Sequence, residues 1–325
     1  MSNAINLSII IPCYNCADTL RDAVNSCYTQ GFAEQEFEIV MVDDGSTDST
    51  YQLMKTLARE KSNIKLVRHE VNKGGGATRN TAVRSSKGEV VFCLDSDDML
   101  KENTLFYMYN KLKSSSLDGV CLGELISFKG NDTNDISHRT LFSNKRTYVL
   151  EDLLEREYPC GLNSVFMFTK DAFEECGGYP VSHGFDTQGF AWRFLAHNLK
   201  AESCQDAAYY HRVQFHQSYY LREYISGMTN INMQSVVLEH AYLLTEEAKN
   251  IVTNANVADF TQPLITSLKS LPKVFREDAY ELVRHIPSHE HDQPVSCRPI
   301  KVNSLRGIYF RLRTKLRNQS NRKPK

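Results

Sequence analysis

Residues 88 to 100 constrain the fold of this chain more than any other stretch. Residues 90 to 94 form an unbroken apolar run of β-formers, which is typical of a strand buried on both faces of a parallel sheet. Asp95, Asp97 and Asp98 follow directly. Ligands of open α/β sheets bind beyond the carboxyl ends of the strands, so we predict that these acids line a ligand site.

The charge of these three acids indicates what the ligand contains. Crowded carboxylates raise one another's pKa unless a cation joins them. Mg²⁺ and Mn²⁺ prefer oxygen ligands and usually bind one or two carboxylates together with the phosphates of a nucleotide. The stretch therefore predicts a site for Mn²⁺ or Mg²⁺ and a diphosphate. An acidic surface turn is the alternative, and the buried strand in front of the acids argues against it.

The first hundred residues alternate between apolar runs and segments of helical spacing. Strands are predicted at residues 7–11, 38–42 and 64–67 as well as at 90–94. Three successive crossovers imply a parallel sheet with right-handed connections, the usual architecture of a nucleotide-binding half-domain. The pattern loosens further on, and the polar residues 127–145 are predicted to form a mobile loop.

Charge is distributed unevenly and limits the partners. The 325 residues carry a formal net charge of −1, and residues 301–325 contain nine Lys or Arg and no acid. The first 300 residues therefore carry −10, and only the end of the chain is basic. We do not expect an acidic body to bind nucleic acid.

Cysteine usage and hydropathy indicate the compartment. The nine cysteines are scattered, and Cys13 and Cys16 form the only close pair, with no second pair to complete a zinc site. This suits a reducing cytoplasm. The first apolar run, residues 7–11, ends at Pro12 and is too short for a signal peptide or a spanning helix. We therefore expect a cytoplasmic protein, either soluble or at the inner face of the membrane.

Two further motifs follow predicted strands. Asp-Asp-Gly-Ser at 43–46 comes after the second strand, where a carboxylate can accept the imide N–H of uracil or bind ribose hydroxyls; a helix-capping turn is the alternative. Gly-Gly-Gly at 74–76 permits close approach of a ligand to the backbone. It matches neither the dinucleotide-binding glycine fingerprint nor a P-loop, and taken alone it equally describes a turn.

Together, four motifs resemble those of glycosyltransferase family 2, the large inverting family with the GT-A fold. They occur in the expected order between residues 5 and 100, and a weaker match continues through 171–180. The motifs are Ile-Ile-Ile-Pro-Cys-Tyr-Asn at 9–15, Val-Asp-Asp-Gly-Ser-Thr-Asp at 42–48, Asn-x-Gly at 72–74 with Ala-x-Arg-Asn at 77–80, and Leu-Asp-Ser-Asp-Asp at 94–98. The resemblance implies an α/β fold of the GT-A type, a Rossmann-like, mostly parallel sheet with flanking helices. The residue pattern from about 219 to 287 separately predicts a helical C-terminal region.

The resemblance also implies roles for individual residues at the donor. Pro12, Tyr14 and Asn15 would line the nucleoside pocket. Asp44 would read the base, and Arg79 would help to hold the base or the phosphates.

The acid motif corresponds to the family's Asp-x-Asp signature. Asp95 and Asp97 are the two signature acids, with Asp97 as the predicted metal ligand and Asp98 as a second candidate. The metal would neutralise the charge that grows on the departing nucleoside diphosphate.

Inversion at the anomeric carbon is a single in-line displacement and needs one general base. The family places this base in a Glu-Asp pair after a Gly-Gly-Tyr/Phe turn, which resembles Gly-Gly-Tyr at 177–179. Asp186 is therefore the predicted base, although Phe185 stands where Glu is usual. Arg193 lies one place later than the family's arginine. A helix N-cap is the alternative role for Asp186.

Residues 209–213 resemble the family's Tyr-Arg-x-His segment, which can close over the phosphates. Arg212 is a predicted phosphate contact and His216 a predicted metal or phosphate contact, although Gln214 occupies the usual histidine position. A packed edge strand is an equally good interpretation.

Motifs and composition divide the chain into three parts. Residues 1–218 are predicted to form the GT-A catalytic domain, 219–300 a helical C-terminal region and 301–325 a basic tail. Within 304–317, apolar residues recur at helical spacing and arginines lie off the stripe. Such a helix can lie on an anionic membrane surface, beside a lipid-linked acceptor. Docking on the protein's own body or on a partner is the alternative.

The sequence thus predicts a metal-dependent inverting glycosyltransferase that moves a sugar from a UDP-sugar to a hydroxyl group of a saccharide or lipid-linked acceptor, in surface polysaccharide or glycolipid synthesis. UDP is expected because an acid at position 44 suits uracil. One rival is a sugar-phosphate nucleotidylyltransferase, whose Arg-containing glycine-rich loop is here replaced by Pro-Cys-Tyr-Asn at 12–15. The other is a non-catalytic nucleotide-sugar-binding scaffold, which the Phe185 departure keeps open.

Overall fold

Four parallel strands form the first half of the sheet. The computed structural model describes residues 5–144, 147–154, 159–181, 185–213 and 228–254. The four strands are Leu7–Cys13 (β1), Phe37–Asp44 (β2), Ile64–His69 (β3) and Val90–Cys93 (β4). β1 lies between β2 and β4, and β3 lies on the far side of β2, with every pair parallel. The predicted parallel sheet is confirmed.

Each crossover in this half contains a helix. The helices are Leu20–Ser26 (α1), Thr50–Glu60 (α2) and Gly75–Ser85 (α3). α2 buries Met54 and Leu57 against the sheet, and α3 buries Ala82 and Val83, so in both helices an apolar stripe faces the strands. α3 begins directly after Gly74, whose φ of 90° lies in the region that favours glycine.

Strands of mixed direction complete the same sheet. These later elements are Met99–Leu100 (β5), Thr104–Lys113 (α4), Gly119–Lys129 (β6), Ile136–Leu141 (β7), Phe166–Thr169 (β8), Lys170–Glu175 (α5), Asp186–Ala196 (α6) and Ala201–Val213 (β9). The strand order is β3-β2-β1-β4-β8-β6-β9-β5, with β7 paired to β6. β8 is antiparallel to β4, whereas β9 runs parallel to β6 and so brings its carboxyl end towards the loop after β4.

The segment predicted to be a mobile loop contains the end of one strand and the whole of another. β6 continues through Lys129, and β7 pairs with it in antiparallel orientation. The side chains of β7 are mostly exposed, and its two apolar residues, Ile136 and Leu141, stand at opposite ends, so no apolar run marks the strand. Hydrophobic patterning reports burial, whereas this edge strand is held by backbone hydrogen bonds. The loop prediction was therefore wrong for residues 127–129 and 136–141.

Helices cover both faces of the sheet, which explains the unbroken apolar runs. Ile9 and Ile11 of β1 pack in the core that α1, α2 and α4 cover, whereas Ile10 faces the core of α3 and α6. All three side chains are almost completely buried. Full burial of one such side chain contributes roughly 2 kcal/mol, so both faces stabilise the central strand.

Two further helices, Met228–Glu239 (α7) and Glu246–Asn254 (α8), follow the sheet. α7 packs against α6 and α8 against α7, and their Val236 and Val252 share a core with Phe190 of α6. The boundary at residue 218, most of region 219–300 and the tail 301–325 lie outside the described residues, so these assignments stay predictions. Within the described ranges, no helix has the length and apolarity needed to cross a membrane.

Candidate active site

Hydrogen bonds join the loops at the carboxyl ends of β1 and β2. The Asn15 N–H donates to Ser46 Oγ at 3.0 Å, and the side-chain oxygen of Asn15 accepts from the Thr47 N–H at 2.9 Å. Asn15 has a φ of 49°, a region that asparagine tolerates better than most residues. The turn leaves Tyr14 45% exposed, two residues after Pro12. The predicted nucleoside-binding loop is thus fixed at the rim of the sheet.

The buried carboxylate of Asp44 holds the loop between β3 and α3. It accepts the N–H groups of Lys73 and Gly74 at 2.9 Å each, and His69 Nδ1 lies 2.7 Å from it. Hydrogen bonds to a buried carboxylate are strong because water does not compete for them. Asp44 therefore lies at the predicted donor site and also sets the position at which α3 begins.

The first turn of α3 packs against the predicted base. A Cβ atom at Gly75 would lie 2.5 Å from Asp186 Oδ2, and one at Gly76 would lie 1.8 Å from the carbonyl oxygen of Pro180. Only glycine permits such close packing. The N-terminal end of a helix carries partial positive charge, so it stabilises the negative charge of a carboxylate at this place.

Arg79 joins Asp186 to the acid motif after β4. Its Nη1 bonds to Asp186 Oδ2, and its Nη2 donates to Asp95 Oδ1 at 2.7 Å. The side chain of Arg79 is only 12% exposed, so both ion pairs form largely away from solvent. Arg79 and Asp186 are 107 residues apart in the sequence. The structure thus brings together three side chains that the sequence analysis assigned to one site.

The three acids of the motif point to different partners. Asp95 faces the arginine of α3, whereas Asp98 accepts the Arg212 N–H at 2.7 Å and lies 3.1 Å from His211 Nδ1. Burial, together with the charges of Asp98 and Asp95, raises the pKa of Asp97 to about 7. Burial also raises the pKa of Asp98, in spite of its hydrogen bond to His211. A cation beside these two carboxylates would favour their charged forms.

Two residues of β9 that were not predicted as site residues support this motif. The Asp95 N–H donates to the Tyr209 hydroxyl at 3.2 Å. Burial lowers the pKa of His211, but its hydrogen bond to Asp98 and the charge of that carboxylate outweigh this effect and raise the pKa to about 9. Since alternate residues of a strand share one face, the polar groups at 209 and 211 could have been recognised as a pair.

Arg212 is buried and binds protein atoms. Its side chain is 2% exposed, with Nε donating to the Asp97 carbonyl at 2.8 Å, Nη2 to Asp22 Oδ2 at 3.1 Å and Nη1 to the Gly130 carbonyl. Arg212 therefore fastens the acid motif to α1 and to the end of β6. The predicted phosphate contact would be made in addition to these bonds. His216 lies outside the described residues.

Packing explains two of the departures from the family pattern, those at Phe185 and Arg193. Phe185 is buried in the core that surrounds α6, so an apolar side chain fills the position that usually carries Glu. Arg193 donates to the Gly178 carbonyl at 3.1 Å and pairs with Glu239 at 2.9 Å. It therefore ties the glycine turn before Asp186 to α7.

A metal cage made of protein side chains alone is not found in the described part of the chain. No group of three or more His, Cys, Asp and Glu side chains is arranged there to hold an ion. Mg²⁺ and Mn²⁺ commonly use one or two carboxylates and complete their coordination with phosphate oxygens and water. The carboxylate oxygens of the acid motif fit a hard divalent cation of this kind, and such a cation would offset the burial and the neighbouring charges that raise the pKa of Asp97.

A sheet with helices on both faces, and acids at the carboxyl ends of its central strands, is the GT-A architecture. The chain belongs to glycosyl transferase family 2, whose sequence model matches residues 8–177. This confirms the family and the fold class indicated by the motifs.

The alignments with three curated relatives cover 31–39% of this chain and 18–42% of the relative. The poly(ribitol-phosphate) beta-glucosyltransferase of Bacillus spizizenii is 35% identical over 127 residues, 39% of this chain and 20% of the relative. The poly(ribitol-phosphate) beta-N-acetylglucosaminyltransferase TarS of Staphylococcus aureus is 41% identical over 102 residues, 31% of this chain and 18% of the relative. Glycosyltransferase GlyG of Streptococcus pneumoniae is 31% identical over 129 residues, 39% of this chain and 42% of the relative. The match thus covers less than half the length of each of these three relatives.

Solved structures show the same fold over most of the chain. TarS from S. aureus in complex with UDP-GlcNAc superposes with a TM-score of 0.61 at 22% identity, covering 86% of this chain and 79% of that one. The mannosyltransferase PcManGT from Pyrobaculum calidifontis, in complex with GDP-Man and Mn²⁺, gives a TM-score of 0.51 at 20% identity, with 86% and 73% covered. At these identities the likeness establishes the fold alone.

Proposed function

We propose that this chain is a metal-dependent inverting glycosyltransferase, which transfers a sugar from a UDP-sugar to a hydroxyl group of a saccharide or lipid-linked acceptor in surface polysaccharide or glycolipid synthesis. The observation that carries the proposal is the bridge from Asp186 through Arg79 to Asp95. It sets a carboxylate suited to act as base beside the acid motif of the donor site. Family membership and the polymer-glycosylating activities named for two relatives support the same assignment.

Asp186 is the proposed general base. In a single displacement the acceptor hydroxyl attacks the anomeric carbon while the diphosphate leaves from the opposite face, so one carboxylate must take the hydroxyl proton. The ion pair with Arg79 and the first turn of α3 hold Asp186 in one orientation. Positioning of this kind is a large part of catalysis, because a displacement of about 1 Å can cost about 100-fold in rate.

The proposed donor site lies across the loops that follow β1, β2 and β3. Tyr14 is exposed enough for a base to stack on it, with Pro12 and Asn15 shaping the same loop. Asp44 is proposed to accept the imide N–H of uracil. Arg79 supplies positive charge to the phosphates as well as to Asp186.

Asp97 is the proposed ligand of Mn²⁺ or Mg²⁺, with Asp98 as a second candidate and His216 as a further one from outside the described part. When bound, the cation supplies Lewis-acid stabilisation of the departing nucleoside diphosphate. Arg212 holds the Asp97 carbonyl and so orients this acid. Arg212 is also proposed to face the phosphates of the donor.

Donor hydrolysis tests this proposal without knowledge of the acceptor. Purified protein is incubated with UDP-GlcNAc or UDP-glucose, with and without Mn²⁺, and release of UDP is measured. We expect slow, Mn²⁺-dependent release, a loss of about 100-fold or more in Asp186→Asn, and little change in the exposed control Asp171→Asn. A wild-type protein that binds UDP but forms no UDP from either UDP-sugar would favour the non-catalytic scaffold. The apolar Phe185, at the position where the family usually has Glu, keeps this alternative open.

The basic tail is proposed to bring the enzyme, acting in the cytoplasm, to an anionic membrane that carries the acceptor. Liposomes containing anionic lipid are sedimented with the full chain and with a chain that ends at Asn303. Equal recovery of both chains in the supernatant would refute this part of the proposal.

A further inference from the structure

A buried histidine, His69, contacts Asp44, the carboxylate that is proposed to bind the nucleobase of the donor. His69, at the end of β3, is almost completely buried, and so is Asp44 at the end of β2. One ring nitrogen, Nδ1, lies 2.7 Å from Asp44 Oδ1, and the other, Nε2, lies 3.0 Å from Thr81 Oγ1 on α3. The ring therefore links two strands of the sheet to the helix that carries Arg79.

The chemistry of the three groups fixes the direction of these bonds. A carboxylate can only accept, so the hydrogen must be on Nδ1 of His69. In a neutral ring Nε2 then accepts from the hydroxyl group of Thr81. The histidine is thus held in one tautomer by a partner on each side, and its donated hydrogen bond restrains rotation of the Asp44 carboxylate.

The hydrogen bonds of Asp44 leave little acceptor capacity for a ligand. Lys73 N–H, Gly74 N–H and His69 Nδ1 account for three bonds, and an ionised carboxylate has roughly four acceptor positions. The position that remains can be used only by a donor. Uracil offers an N–H group at N3, whereas cytosine has an unprotonated nitrogen there and would place an acceptor against a carboxylate.

We propose that His69 is the positioning residue that gives this site its preference for uracil over cytosine nucleotides. The proposal rests on the proposed function, in which Asp44 reads the base. His69 does not touch the nucleotide; it keeps the remaining acceptor position of Asp44 turned towards the imide N–H. Without this bond only the N–H groups of Lys73 and Gly74 restrain the carboxylate. A second acceptor position is then open to other donors, and the discrimination between the two nucleobases falls.

A purely structural role for His69 predicts a different result, and two amide substitutions separate the roles. An asparagine amide at this position reaches roughly as far as Nδ1, so His69→Asn retains a donor to Asp44. A glutamine amide reaches roughly as far as Nε2, so His69→Gln retains the contact with Thr81 and loses the one with Asp44. The two variants carry the same functional group and both remove the imidazole, which makes them matched controls for stability.

The experiment measures the affinities of wild type and both variants for UDP and CDP by calorimetry with Mn²⁺ present. We expect the wild type and His69→Asn to prefer UDP, and His69→Gln to lose about tenfold or more of that preference, since one hydrogen bond to a charged group is removed. Thr81→Val, which removes only the outer partner, is expected to weaken the preference to a smaller extent.

The outcomes distinguish this inference from the proposal on which it rests. Binding of UDP with the same UDP-to-CDP ratio in wild type, His69→Asn and His69→Gln would overturn the role of His69 and leave the glycosyltransferase proposal standing. An equal loss of preference in both amide variants would also overturn it, because the bond to Asp44 would then not be the cause. A wild type that binds neither nucleotide would overturn both.

Discussion

Substitution of Gly76 by alanine tests how closely α3 must approach the segment that leads to the proposed base. The added Cβ would lie 1.8 Å from the Pro180 carbonyl oxygen, where unstrained contacts stay above 3.0 Å. Either α3 or Pro180 must therefore move by about 1.2 Å. The obstacle is backbone, so rotation of a side chain cannot relieve it.

Two magnitudes follow from this displacement. Overpacking of a tight contact typically costs about 1–3 kcal/mol of unfolding free energy. Asp186 lies six residues after Pro180, and a shift of about 1 Å at a catalytic group lowers the rate about 100-fold. Gly76→Ala is therefore expected to fold with reduced stability and to lose most of its donor hydrolysis.

Urea unfolding and Mn²⁺-dependent release of UDP from UDP-GlcNAc measure the two effects. Gly130→Asn serves as the control, because a Cβ there meets nothing within 4 Å and asparagine tolerates its φ of 58°. If Gly76→Ala kept both the stability and the rate of the wild type, the close packing of α3 on Pro180 would be refuted as a requirement of the site.

Three further predictions concern the charges of the site. The pKa of Asp97 is raised to about 7, and a metal ligand must be deprotonated. The apparent affinity for Mn²⁺ in a calorimetric titration should therefore fall by up to about tenfold for each pH unit below that value. A constant affinity from about pH 8 to pH 6 would contradict this prediction. The pKa of His211 is raised from 6.5 to about 9 in the folded protein. The contribution of the charged ring to folding stability is therefore fully present below about pH 6.5 and is lost as the pH rises through 9. The melting temperature of His211→Gln should lie below that of the wild type at about pH 6, and the difference should close by about pH 9.5. Arg79→Lys keeps the positive charge but loses the planar guanidinium group that bonds two carboxylates at once. Donor hydrolysis should therefore fall by about tenfold or more, with little change in melting temperature. An unchanged rate of hydrolysis would show that the bridge to Asp186 is dispensable.

The parallel half of the fold could be predicted because β1, β2 and β4 are buried on both faces and therefore have mainly apolar sequences. β3 lies at the edge of the sheet, and its partly exposed sequence mixes apolar and basic residues instead. Each of the four strands is followed by one of the four motifs, and strands that run in parallel bring these motifs to one edge of the sheet. The same logic fails for β7, whose exposed side chains carry no such signal. It also fails for the bridge formed by Arg79, because a contact across 107 residues depends on how α6 packs against α3.

Supporting residues were the hardest to predict. His69 and Tyr209 lie within strands and contact the motif acids. The ring of His69 reaches Asp44 of the neighbouring strand β2, whereas the Tyr209 hydroxyl accepts the Asp95 N–H from the loop after β4. Their roles depend on strand order, since β9 reaches the acid motif only after β8 and β6 have been inserted into the sheet. The single-sequence pattern contains the period of each strand and does not contain that order.

The ion pair between Arg193 and Glu239 bears on how the chain can be dissected. A cut placed after the last recognisable motif, near residue 218, would remove the carboxylate that balances a guanidinium buried behind the glycine turn. The excised piece would keep the motifs of the proposed nucleotide site and would lose part of the support for the turn that precedes Asp186, the proposed general base. Shortened versions intended for crystallography should therefore extend past α7, to a point where both halves of that charge pair are retained.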